Sequence, residues 1–198
     1  MGTKAKIITK AKVITTMVVF LFVMIITIGA CAPEVYLPVL YEAQSFTLNN
    51  QDGQEVKLSD FRGEVVILSF IYTRCPDVCG ELNYRLQSVW EQLKQELRQG
   101  VVLISVSFDS YDTPEVLKQY DELYNVPGWQ FLTGTEEQIQ QVTTDYGVAY
   151  EREADEWEIG HSIVIVLIDR NGMVRKSYGN PYFPEKDMIR ELEYLLNQ

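Results

Sequence analysis

A chain of 198 residues with 46% hydrophobic side chains has material for one core and one ordinary domain. Four of its 17 Lys and Arg stand before residue 13, leaving 13 against all 28 Asp and Glu, a formal charge of −15 over residues 31–198. That balance excludes a nucleic-acid-binding surface, which needs clustered Lys and Arg against phosphates. It leaves solubility as the ordinary meaning of the acidity, with a modest bias toward cationic partners or metal ions.

In chain order, Lys4, Lys6, Lys10 and Lys12 precede an apolar run over residues 13–30, and no acidic residue occurs before Glu34. As a helix the run spans roughly 27 Å, close to a bilayer core. A basic flank followed by an apolar run is the order of a secretory signal or an uncleaved anchor. The first arginine is Arg62, which argues against an Arg-rich mitochondrial transit peptide. Cys31 follows Ile28-Gly29-Ala30 in the manner of a bacterial lipobox, so the leader is either cleaved before a lipidated Cys31 or kept as a single span. Both readings put the rest of the chain on the extracytoplasmic face of the cell membrane. The expected organisation is a leader at 1–30, a spacer at 31–44 with Pro33 and Pro38, and one domain at 45–198.

Within that domain, Phe46-Thr47-Leu48 and Val56-Lys57-Leu58 flank a polar Gly53 turn and predict a hairpin. Residues 65–72 (VVILSFIY) read as a central strand covered on both faces. Leu82, Leu86, Val89, Leu93 and Leu97 recur at helical spacing, and a second buried strand follows at 101–108. Thr113-Pro114 starts a helix reaching about Tyr124. A short strand is expected at 129–132, a helix at 135–146 and a third buried strand at 162–169. Asn171-Gly172 turns that strand into 173–178, and a helix over 184–197 closes the chain. This is a mixed α/β sheet flanked by helices.

Cys75 and Cys79 stand where the first central strand hands over to a helix. If the helix has begun by Pro76, they occupy i and i+4 on one face, with Cα atoms about 6 Å apart and a disulfide within reach. The extra residue relative to Cys-x-x-Cys widens the bite enough for a metal ion. A helix N-terminus favours thiolates, which serves redox attack and metal ligation alike. The single histidine, His161, opens the third buried strand and reads either as a ligand or as a histidine hydrogen-bonded at a strand end. Two thiolates and one imidazole satisfy copper(I), whereas structural zinc would also require Asp77, Asp112 or water.

These pieces resemble the Sco/SenC family of membrane-tethered, thioredoxin-like proteins. The matching motifs are Thr73-Arg74-Cys75-Pro76-Asp77-Val78-Cys79, Ser107-Phe108-Asp109, Asp112-Thr113-Pro114, Trp129-Gln130-Phe131-Leu132-Thr133-Gly134 and Gly160-His161-Ser162 before Leu167-Ile168-Asp169-Arg170-Asn171-Gly172. The likeness covers residues 44–197 in order. It departs at Gly80, where the family often has proline, and in the short segment between Asp109 and Asp112. The resemblance implies a thioredoxin-like fold and copper held by Cys75, Cys79 and His161, with the cysteines also a redox pair. It further implies assembly of the dinuclear copper centre of cytochrome c oxidase. The partners would be the oxidase's copper-bearing subunit and a thiol reductant or copper donor protein. Such a protein is mainly a metallochaperone. The rival is a metal-free thiol–disulfide oxidoreductase, for which His161 is superfluous. A peroxiredoxin is disfavoured because Thr73 stands two residues before Cys75 rather than three. A purely structural disulfide leaves the helix-start placement of the cysteines unexplained.

Overall fold

The computed structural model describes residues 35–76, 78–152 and 158–198. The leader with Cys31, and Asp77, lie outside the described residues. Among the described residues no helix is long and apolar enough to cross a membrane.

Ten strands, five α-helices and a short 3-10 helix at Leu58–Phe61 make up the described domain. The strands are β1 (Tyr41–Glu42), β2 (Thr47–Asn50), β3 (Glu55–Lys57), β4 (Val65–Ile71), β5 (Val101–Ser107), β6 (Gln130–Thr133), β7 (Tyr150–Arg152), β8 (Ile159–His161), β9 (Ile165–Ile168) and β10 (Met173–Tyr178). The helices are α1 (Val78–Gln92), α2 (Gln95–Arg98), α3 (Pro114–Asp121), α4 (Glu136–Asp145) and α5 (Glu185–Leu196). Eight strands form one mixed sheet in the order β1-β10-β9-β4-β5-β6-β2-β3. At its centre β4 and β5 run parallel through seven residue pairs, from Val65↔Val101 to Ile71↔Ser107, and β9 lies antiparallel on the other side of β4. Every residue of β4 is buried, as its apolar run predicts. Helix α1 packs on α5, which also touches β4, and α3 lies on β6 and β2. The β9–β10 turn uses Gly172 at φ +75°, where a Cβ would collide with the Arg62 guanidinium.

Three expectations change. The long leucine-spaced helix is two helices: α1 ends at Gln92, Lys94 is extended, and α2 restarts at Gln95. Arg98 folds back so that its Nε donates to the Leu93 carbonyl at 2.9 Å, satisfying an acceptor exposed by the break. The stretch expected as a spacer is partly structural, since Leu37 is buried and Tyr41–Glu42 pair with β10 at the sheet edge. Finally, His161 does not open the third buried strand. It ends β8, which pairs with β7 in a separate two-stranded ribbon (Tyr150↔His161, Glu151↔Gly160, Arg152↔Ile159), and the sheet strand starts later, at Ile165.

Candidate metal centre

Beyond Ile71 the chain leaves the sheet and turns into α1, and two buried carboxylates hold that turn. Asp112, 2% exposed, accepts from the Thr73 N–H at 2.8 Å, from the Thr73 hydroxyl at 2.5 Å and from the Ser107 hydroxyl. Burial pushes its carboxyl above the usual range, against the pull of the Ser107 and Thr73 hydrogen bonds. Asp109, 1% exposed, accepts from Arg74 at 2.8 and 3.2 Å, and the guanidinium lies 4.5 Å from the centre of the Tyr111 ring. The Cys75 N–H donates to the Tyr72 carbonyl at 3.3 Å. Cys75 therefore precedes the helix rather than sharing its face with Cys79: α1 begins at Val78, and the turn, not helical periodicity, brings the sulfurs together.

Cys75 is partly exposed and Cys79 completely buried. The Cys79 thiol is pushed far above its ordinary range, first by its hydrogen bond with Cys75 and then by burial. Nearby, burial pushes the Tyr72 hydroxyl up to about 12.

The ribbon brings the third residue in from another part of the chain. The His161 ring meets Tyr72 edge-on at 5.5 Å and Phe108 at 5.1 Å, and Phe108 stacks on Tyr150 of β7. The Tyr72 hydroxyl accepts the Ile159 N–H at 3.3 Å, tying β8 to the end of β4. His161 Nδ1 lies 3.1 Å from the Ser162 carbonyl, which can only accept, so Nδ1 carries the proton. The lone pair is left on Nε2, 3.8 Å from Cys79 Sγ. Burial pulls the imidazole pKa down, but hydrogen bonds with Cys75 and the Ser162 carbonyl and the charge of Cys75 outweigh it, for a net upward shift.

The donor atoms of Cys75, Cys79 and His161 all lie within 4.8 Å of one another. Ligands bonded at about 2.0–2.3 Å to one ion sit at such separations. Among the described residues no fourth His, Cys, Asp or Glu joins the group. Asp112 in particular spends both oxygens on Thr73 and Ser107. The described residues thus supply a soft three-donor set. Tyr72, Phe108 and Asp109 carry no assigned task in the sequence, Asp112 is considered there only as a further ligand for zinc, and Tyr150 is not singled out at all. The only signal for the aspartates was their position between a strand end and a helix start.

Fold and site together define a thioredoxin-like domain with two thiols and one imidazole converging at the end of its central strand. The SCO1/SenC family model matches residues 39–197, and the chain belongs to that family. A SCO1 protein homolog of Bacillus subtilis is 30% identical over 189 residues, covering 92% of this chain and 95% of its own. A SCO1/SenC family lipoprotein from Bacillus anthracis superposes with a TM-score of 0.73 at 28% identity, over 82% of this chain and 99% of its own. Bradyrhizobium japonicum ScoI, solved with copper bound, gives 0.70 at 26% identity, over 78% and 99%.

Proposed function

We propose that this protein is an exported, membrane-tethered copper carrier that serves assembly of the dinuclear copper centre of cytochrome c oxidase. Cys75 and Cys79 are its thiolate ligands and His161 its imidazole ligand. The observation that carries this reading is the convergence of three soft or borderline donors within 4.8 Å, with the Nε2 lone pair facing the sulfurs. The copper-bound Bradyrhizobium relative supports the metal, and the Bacillus anthracis lipoprotein supports a tether through residues 1–31. The family resemblance supports the oxidase subunit as acceptor.

In this reading copper is cargo. Cys75, Cys79 and neutral His161 bind it, and loading displaces the proton that the raised Cys79 thiol holds. The buried carboxylates keep the turn in place while this happens. Joining Cys75 to Cys79 in a disulfide removes both thiolates, so the dithiol state gates loading.

A second reading has its own support: one partly exposed and one buried thiol at a strand end also suit a thiol–disulfide oxidoreductase. The test is copper titration of the reduced protein beside rescue of oxidase activity in cells, with parent and His161→Ala. A carrier binds one copper per chain, and His161→Ala weakens binding and rescues poorly while leaving the disulfide couple intact. If His161→Ala binds copper like the parent and rescues fully, the oxidoreductase takes the carrier's place.

A further inference from the structure

Nine large apolar side chains are exposed among the described residues, and four of them fall within one six-residue stretch: Tyr36 (76% exposed), Val39 (56%), Leu40 (49%) and Tyr41 (45%). The stretch, Tyr36-Leu37-Pro38-Val39-Leu40-Tyr41, contains no charged residue. Its backbone is fixed. The Leu40 N–H donates to the Val174 carbonyl at 2.9 Å. The buried Arg175, paired with Asp169 at 2.7 Å, donates to the carbonyls of Leu37 and Pro38. Leu37 turns into the core at 4% exposure, and the other apolar side chains stand outward from a pinned chain.

We infer that this stretch is a membrane-contact surface, seated on the lipid interface beside the tether. The inference rests on the tether proposed above and adds an orientation to it. Only residues 32–34 separate Cys31 from Val35, and the four residue steps from 31 to 35 reach at most about 14 Å when fully extended. A domain held at Cys31 therefore cannot carry Tyr36–Tyr41 far from the headgroups. The order tyrosine, aliphatics, tyrosine suits that layer, because a tyrosine ring is apolar while its hydroxyl stays wet. The acidic remainder of the domain gains nothing from anionic lipid, so an uncharged surface is the one that can approach. Beside it, Glu42 is partnered by Arg62 at 3.6 Å. A second copy of the chain is the poorer occupant. Pro38 has no N–H, and β1 is two residues long, which leaves little strand edge to extend.

The consequence is where the thiols point. Tyr41 lies level with Val174, Ile168 and Val66 across three strand spacings, whereas Cys75 lies beyond Ile71. Three spacings sideways and about five residues along β4 put the sulfurs roughly 20 Å from the patch. The copper-binding end thus stands clear of the lipid while the β1 edge rests on it.

The test uses the full chain reconstituted into phosphatidylcholine vesicles with acyl chains brominated near the headgroup. Tryptophan is introduced by Val39→Trp at the patch and by Tyr111→Trp at the thiol end, and the parent's emission is subtracted. The expected result is a blue-shifted Val39→Trp emission that the brominated lipid quenches and a Tyr111→Trp emission that it does not. Adding Tyr36→Ser and Leu40→Ser to Val39→Trp should reduce the quenching. If the chain floats with vesicles but Val39→Trp is not quenched, the contact surface is refuted and the tether stands. Equal quenching at both positions refutes the orientation. A chain that does not float with vesicles refutes the tether and this inference together. Cross-linking of Val39→Cys into dimers without quenching would assign the patch to a second copy.

Discussion

The two halves of the candidate centre are built differently. Cys75 and Cys79 sit on a turn rooted in the central strand, with Asp112 and Asp109 holding it from the neighbouring β5–α3 loop. His161 sits on a ribbon whose two strands, among the described residues, pair only with each other. Its attachments to the rest of the domain include ring contacts of His161 with Tyr72 and Phe108, the stacking of Tyr150 on Phe108, the approach of His161 Nε2 to Cys79 Sγ, and the hydrogen bond from the Ile159 N–H to the Tyr72 hydroxyl. Thiols locked to the core and an imidazole held by packing give a site whose third ligand can be loosened without disturbing the pair. Stability of this kind is unevenly distributed by construction.

Four changes sharpen that contrast, taken from the largest expected effect to the smallest. Phe108→Ala removes a buried ring, 4% exposed, that is the common wall of His161 and Tyr150. It should cost about 3 kcal/mol in urea unfolding and weaken copper binding, while the Cys75–Cys79 redox potential stays near that of the parent. A potential that moves as much as the copper affinity would show that the halves are not separable.

Asp112→Ala attacks the other half. The Thr73 N–H and the Thr73 and Ser107 hydroxyls lose their acceptor, offset by relief of a buried carboxylate, for a net loss of about 2 kcal/mol. Here both the disulfide potential and copper affinity should shift, because the turn itself relaxes. An unchanged potential would remove Asp112 from any positioning role.

Tyr72→Phe keeps the ring against His161 and deletes the acceptor of the Ile159 N–H. The expected loss is about 1 kcal/mol, with faster amide exchange at Ile159 and no change at Thr73. Equal acceleration at both amides would contradict the independence of the ribbon.

The smallest effect is a titration, and with one histidine in the chain it is a single resonance. In the reduced protein the His161 pKa stands above 6.5. A histidine raised on folding adds stability that is complete below its unfolded value near 6.5 and is lost as pH rises through the folded value, so the reduced form should lose a little stability just above pH 6.5. Oxidising Cys75 and Cys79 removes the sulfur interactions and leaves burial opposed only by the Ser162 carbonyl, so the pKa should fall and that stability window should narrow. A pKa that does not move on oxidation would separate His161 from Cys75.

Much of this was legible in the sequence where pattern and packing agree. The apolar runs that became β4 and β5, the Asn171-Gly172 turn, and the Thr113 helix cap all carry local signals that the tertiary structure keeps. The cysteine pair and the histidine were visible as residue types at telling places. Strand order alone allows His161 to approach the cysteines, and the family resemblance is what joins the three, because the approach depends on a ribbon with almost no local signature. Each of its strands is three residues long, and Tyr150, Glu151, Arg152 and Gly160 offer no apolar period. The same shortness hid β1, where Pro38 also reads as loop. The helical-face argument for the cysteines failed because a helix start is set by the turn preceding it, and here two buried aspartates decide that turn.

The unequal exposure of the two sulfurs has a kinetic reading. Any partner that hands over or takes away copper reaches Cys75 first, since Cys79 offers no surface to attack. Cys75 therefore sets how quickly the proposed carrier exchanges its cargo. Cys79, the buried donor between the half-buried Cys75 and His161, sets how long the cargo stays.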